Sequence, residues 1–229
     1  MGLLTKQQVK AAQKAKRDAK NDKKRKINIR PVNLLILIVC EGEKTEPNYF
    51  EAIKKSRYTE VLEVQVKGEG RSTVSLVKKA IEIRDKGIKT YDRVWAVFDK
   101  DSFTDFNDAI KLAKKNKIHA AWSNESFELW YCLHFNYLNT GVSRSQYIDI
   151  LEKEIRKRTN NKEYRYKKND PNMYSLLKGI GNEDQAIKNA KKLEAAFEGD
   201  SNFENHNPCT MVYKLVEELN NPEIIFDRL

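Results

Sequence analysis

The chain of 229 residues has no apolar run long enough to cross a bilayer. Its longest, Leu34 to Cys40, has seven residues, where a span needs about 20. Cysteine is scarce. Cys40, Cys132 and Cys209 lie far apart with no CxxC spacing, which argues against a disulfide framework and a zinc knuckle and fits a reducing, cytoplasmic setting. The first 30 residues have no apolar stretch of signal-peptide length, so no secretory signal is read there. They contain no serine and are rich in lysine, which speaks against a transit peptide. No Ser/His/Asp or Cys/His nucleophile arrangement stands out. Gly68-Glu69-Gly70-Arg71-Ser72 lacks the lysine pattern of a phosphate-binding loop, so it is weak evidence for one.

Positive charge, by contrast, is plentiful and uneven. The net charge is +10, and residues 1–30 hold 11 lysines and arginines against Asp18 and Asp22. The rest of the chain is close to neutral. This arm is read either as a solvated tail or as a sequence-independent phosphate contact. In the second reading Lys23, Lys24, Arg25 and Lys26 would release counterions from nucleic acid.

Leu34 to Cys40 reads as a strand buried on both faces, the mark of a parallel sheet covered by helices. Thr45-Glu46-Pro47 reads as a helix start, with Thr45 as N-cap. An alternating strand is expected over 61–66, a helix from Ser72 or Thr73, a buried strand over 91–98, a helix from Thr104, a short strand over 118–122 and an apolar helix over 125–135. Beyond about residue 140, helices are expected over 143–158, 172–179, 183–198 and 208–220, the last with Thr210 near its start. The alternation of strands and helices predicts an α/β fold. The expected organisation is a basic arm (1–30), a parallel-sheet domain (31–140) and a helical extension packed on it (141–229).

In open α/β sheets, ligands sit at the carboxyl ends of strands. Two apolar strands here end in acids: Val39-Cys40-Glu41-Gly42 and Val97-Phe98-Asp99-Lys100-Asp101. Acids at the ends of buried strands need compensation, and a hard divalent cation such as Mg²⁺ or Mn²⁺ suits clustered carboxylates. Each motif alone is an ordinary polar strand end; both in this order favour a site. Asp99 and Asp101 would hold the metal, with Glu41 a further ligand or the general base. Glu128, on a helix apolar nearly all round, is read as a buried or cleft-facing acid. Lys168, ahead of Lys100, is the candidate for neutralising developing charge. Tyr164, Arg165 and Lys167, in a stretch rich in lysine, arginine and asparagine, are candidates for stacking bases and contacting phosphates, or for a solvated loop. His119 and His134 are read as structural.

A hydrophobic strand ending in Glu-Gly, followed by one ending in Asp-x-Asp, resembles the Toprim fold. The run Cys40-Glu41-Gly42-Glu43-Lys44-Thr45-Glu46-Pro47-Asn48-Tyr49-Phe50 narrows the likeness. So do Phe98-Asp99-Lys100-Asp101, Ser126-Phe127-Glu128-Leu129-Trp130 with His134-Phe135, and Asn207-Pro208-Cys209-Thr210. Together they resemble the RloB-like family, which includes abortive-infection proteins of AbiLii type, over roughly 32–221. The resemblance implies a metal-dependent phosphodiester nuclease in anti-phage defence, encoded beside an SMC- or ABC-like ATPase. It puts Glu41 at the Toprim glutamate and Asp99 and Asp101 at the aspartate pair. Glu46 resembles the second acid of OLD-type nucleases, and the resemblance implies that Glu46 or Glu128 completes a second metal site. A Toprim phosphotransferase or strand-passage domain, as in primases and topoisomerases, is disfavoured, since a topoisomerase needs a nucleophilic-tyrosine domain and a primase its zinc module. The reading that stays open is a non-catalytic nucleic-acid-binding or regulatory subunit of a defence ATPase complex. Substrate, DNA or RNA, and oligomeric state are not legible at this level.

Overall fold

The computed structural model describes residues 34–57, 62–68, 72–100, 104–222 and 225. The basic arm, with Lys23, Lys24, Arg25 and Lys26, lies outside the described residues, as does Asp101.

Four strands form one sheet: β1 (Leu34–Cys40), β2 (Leu62–Gly68), β3 (Arg93–Lys100) and β4 (His119–Asn124). They run parallel in the order β2-β1-β3-β4. The unbroken apolar run of β1 follows from its central place, since its residues are buried almost throughout. Between strands lie α1 (Thr45–Arg57), α2 (Thr73–Lys86) and α3 (Phe106–Lys115). After β4 come α4 (Glu128–Leu133), α5 (Arg144–Thr159), α6 (Met173–Ile180), α7 (Glu183–Ala195), a 3-10 turn (Phe203–Asn205) and α8 (Val212–Asn220). Among the described residues, no helix is long and apolar enough to cross a membrane.

Alternation along β3 and β4 sorts the two faces. Phe98 and Trp122, register partners, both meet Phe106 of α3 edge to face. Trp95 and its partner His119 are on the opposite face, where Trp95 Nε1 donates to buried Glu218 of α8 at 3.0 Å. Arg93, one further residue pair back, ion-pairs with the same carboxylate at 3.4 Å. The final helix therefore packs on the sheet through a buried charge pair as well as through Leu215, Val216 and Leu219.

Some boundaries differ from the sequence expectation, each alongside a contact with a residue distant in sequence. Thr45 does not cap α1 but lies in its first turn, and its hydroxyl donates to the Lys168 carbonyl at 2.6 Å. The apolar helix expected from residue 125 begins only at Glu128. Glu125 takes a left-handed φ of 67°, and the Phe127 N–H is used elsewhere, on Asp99. Thr210 does not start the last helix. It bridges Ser123 across the outer edge of β4, their hydroxyls 2.8 Å apart, and α8 begins at Val212.

Candidate functional site

The strand order sets the site. The chain leaves β1 toward β2 on one side and returns to β3 on the other, so the topological switch point lies between β1 and β3. At such a point the loops diverge and leave a crevice at the carboxyl ends. Glu41 and Asp99 are there. Asp99 lies inside β3, in register with Ser123, and its N–H donates to Glu41 Oε2 at 3.2 Å. The Phe127 N–H donates to Asp99 Oδ2 at 3.1 Å. Both bonds aim the carboxylates.

Two more acids face this crevice from helix starts. Glu46, in the first turn of α1, is 6% exposed, and Glu128, the first residue of α4, is 2% exposed. Glu46 Oε2 is buried without a hydrogen-bond partner. Gly42 makes room for it: a Cβ on Gly42 would lie 2.2 Å from Glu46 Oε2. Glu128 Oε1 accepts from the Tyr166 hydroxyl at 2.9 Å. The Tyr166 N–H donates in turn to Glu152 at 2.8 Å.

The electrostatics follow from burial among like charges. The Asp99 carboxyl is held well above its ordinary value, first by desolvation, then by Glu46 and Glu128, with Arg144 opposing and Glu41 adding. Glu46 is also raised by desolvation. A hydrogen bond to its own backbone amide opposes this, Glu128 adds to it, and Lys168 and Arg144 oppose it further. An aromatic wall closes one side, with Tyr49, Phe127 and Tyr131 in mutual ring contact and Tyr166 against Tyr131. Such a wall lowers the local dielectric and strengthens every charge interaction inside it.

Arg144 carries no sequence signal that would single it out. It is the first residue of α5, its Nη2 donates to the Glu125 carbonyl at 2.9 Å, and it lies 3.9 Å from Asp99 Oδ2. Forty-five residues separate it from Asp99, and only the fold brings them together. Lys168 is exposed, yet its charge reaches Glu46, and its carbonyl is pinned to α1 by Thr45.

The structure thus brings together Glu41, Glu46, Asp99, Glu128 and Lys168. Tyr164 and Tyr166 are half-buried against the core rather than displayed as open ring faces. Arg165 is exposed and pairs with Glu152 at 3.3 Å, and Lys167 is exposed. Among the described residues, no three acid, histidine or cysteine side chains converge closely enough, as placed, to hold a metal ion. The donor chemistry still fits a hard cation. All donors are carboxylate oxygens, one of them is buried and unpartnered, and the acids outnumber Arg144 and Lys168.

No curated protein matches the chain, and no solved structure does. The family model described as RloB-like protein matches residues 36–219, which span every strand and helix described here but the first two residues of β1 and the last of α8. This match covers most of the chain, which therefore belongs to the RloB-like family.

Proposed function

We propose that the chain is a metal-dependent phosphodiester hydrolase acting on nucleic acid, with Glu41, Asp99 and Asp101 as its central acids. The observation that carries this reading is the buried, under-compensated carboxylate cluster at the switch point of the sheet. Glu46 and Glu128 extend the donor set. When bound, Mg²⁺ or Mn²⁺ would polarise the scissile phosphate and lower the pKa of an attacking water.

The chain's own groups do the rest. The Asp99 and Phe127 amides hold Glu41 and Asp99 in place. Glu41, held by the Asp99 amide, would hold or accept a proton. Arg144 and Lys168 supply positive charge that would draw in a phosphate and offset charge developing on it. Tyr166 fixes the carboxylate of Glu128. Family membership supports a role in defence; that the chain acts against phage beside an SMC- or ABC-like ATPase is part of the proposal.

The test is cleavage of plasmid DNA, single-stranded DNA, total RNA and tRNA with Mg²⁺ or Mn²⁺. EDTA and the Glu41→Ala and Asp99→Ala variants serve as controls. Cutting that requires metal and is lost in both variants is the expected result. Cutting retained in both variants would remove this site from the reaction. No cutting, alone or with the neighbouring ATPase added, would favour a regulatory subunit.

A further inference from the structure

The sheet has a second feature, away from the acids. A groove of about 500 Å³ is lined by Trp95, Ile118, His119, Ala120, Trp122 and Lys214, among others. Successive strand residues point to opposite faces, and this lining includes both His119 and Ala120. The groove therefore wraps the outer edge of β4 rather than lying on one face. Its walls are α3, through Ile110 and Lys114, and α8, through Lys214.

The edge is covered at both ends and open at Ala120. The Ile118 N–H goes to the Ala113 carbonyl at 2.9 Å. Met211 N–H donates to the Trp122 carbonyl at 2.7 Å, and Asn124 N–H to the Cys209 carbonyl at 2.8 Å. These bonds show that Trp122 and Asn124 turn their backbone groups outward. Ala120 has the same parity, so its N–H and C=O also face out, into the groove. Among the described residues, no backbone group from another segment bonds to them. Unpaired strand edges are templates for strand addition.

The rim is cationic. Lys114 and Lys117 have no ion-pair partner among the described residues, and Lys214 is paired to Glu194 at 2.6 Å. Lys117 sits at the end of α3 in a left-handed conformation, φ 58°, which disfavours a side chain of this kind. Two lysines flanking the edge would repel a second copy of the same edge. They would attract an acidic one. Trp95 and Trp122 are each only 2% exposed, so neither offers a ring face for stacking a base.

We propose that this edge of β4, open at Ala120, is a docking site for an extended acidic segment of a partner protein. The segment would add a strand beside His119–Ala121 and set alternate carboxylates against Lys114 and Lys117. The site is independent of the acid cluster and of the hydrolase reading.

The experiment uses the full chain and a library of eight-residue peptides that alternate Asp/Glu with Val/Ile/Leu. Libraries with Lys/Arg or Ser/Thr in place of the acids serve as controls. We expect enrichment from the acidic library alone. Binding of the best peptide should weaken about tenfold in Lys114→Glu/Lys117→Glu. It should be unaffected by Lys111→Glu, an exposed position on α3 outside the groove. N-methylation of the peptide at alternate amides should abolish binding in one register and spare it in the other. That readout changes the ligand and leaves the protein intact.

No acidic enrichment, or binding indifferent to N-methylation in both registers, overturns the proposal. Displacement of the peptide by a short oligonucleotide with the same lysine dependence would mark a general anion surface and overturn it too.

Discussion

At the scale of single residues, Glu46 says most about the crevice. Its carboxylate is buried beside other acids and one oxygen is unpartnered. A charge so placed costs stability when nothing compensates it. Glu46→Gln should therefore melt higher than the native chain in EDTA, by a few degrees for about 1–2 kcal/mol. Saturating Mn²⁺ should raise the melting temperature of the native chain, by about 2.7 kcal/mol of added stability at a hundredfold excess over Kd. The rise should vanish in Asp99→Asn. Differential scanning fluorimetry with and without metal reads both. A lower melting point for Glu46→Gln in EDTA would mean that another group already neutralises this charge. Glu41 and Asp99 were legible in the sequence because each directly follows an apolar run. Arg144 was not, since an arginine opening a helix has no local pattern that ties it to an acid on a distant strand.

Individual elements carry their own consequences. Gly42 joins β1 to the turn before α1 and owes its identity to closeness rather than to a special φ. Gly42→Ala would press a methyl group onto the flexible end of Glu46. We expect a small change in melting temperature but a loss of metal-dependent cleavage of about tenfold or more, by misplacement of one carboxylate. Parallel kinetic and thermal measurements separate the two effects.

The short helix α4 is buried along its whole length, and His134 follows it with Nδ1 3.0 Å from the Trp130 carbonyl. Burial lowers the His134 pKa to about 4. A histidine kept neutral in the folded state binds its proton only on unfolding. Its contribution is therefore present above the ordinary value near 6.5 and is lost as pH falls from there toward about 4. Urea melts at pH 7 and pH 4.5 should show that loss in the native chain. It should be smaller in His134→Asn, which keeps an N–H donor without the titration. The sequence placed α4 but not its start, because the left-handed turn at Glu125 and the Phe127–Asp99 bond depend on a partner far along the chain.

For the whole molecule, the parallel sheet was readable from the sequence, since uninterrupted branched-apolar strands alternate with amphipathic helices. The packing of the last helix was not. It depends on Glu218, an acid with no neighbouring signal, reaching Arg93 and Trp95 across more than a hundred residues. Glu218→Ala should destabilise the chain by about 3–5 kcal/mol, because Arg93 would be left buried without its counter-charge. Replacing the pair together, as Arg93→Met/Glu218→Leu, should restore most of that stability. Urea unfolding with unchanged slope is the check, and a mild effect of Glu218→Ala would show that Arg93 reaches water when freed.

The clasp of Cys209–Met211 on the end of β4 has a consequence for the order in which the molecule matures. The loop that offers the Phe127 amide to Asp99 starts from Asn124, whose backbone and side chain are held by Cys209 and Glu204. A nascent chain that has emerged only as far as residue 200 has all the described acids of the crevice, and Arg144 to hold the Glu125 carbonyl, but lacks the Cys209 and Glu204 carbonyls that hold Asn124. That end of the loop is thus fixed late, only when the segment from Glu204 to Met211 arrives.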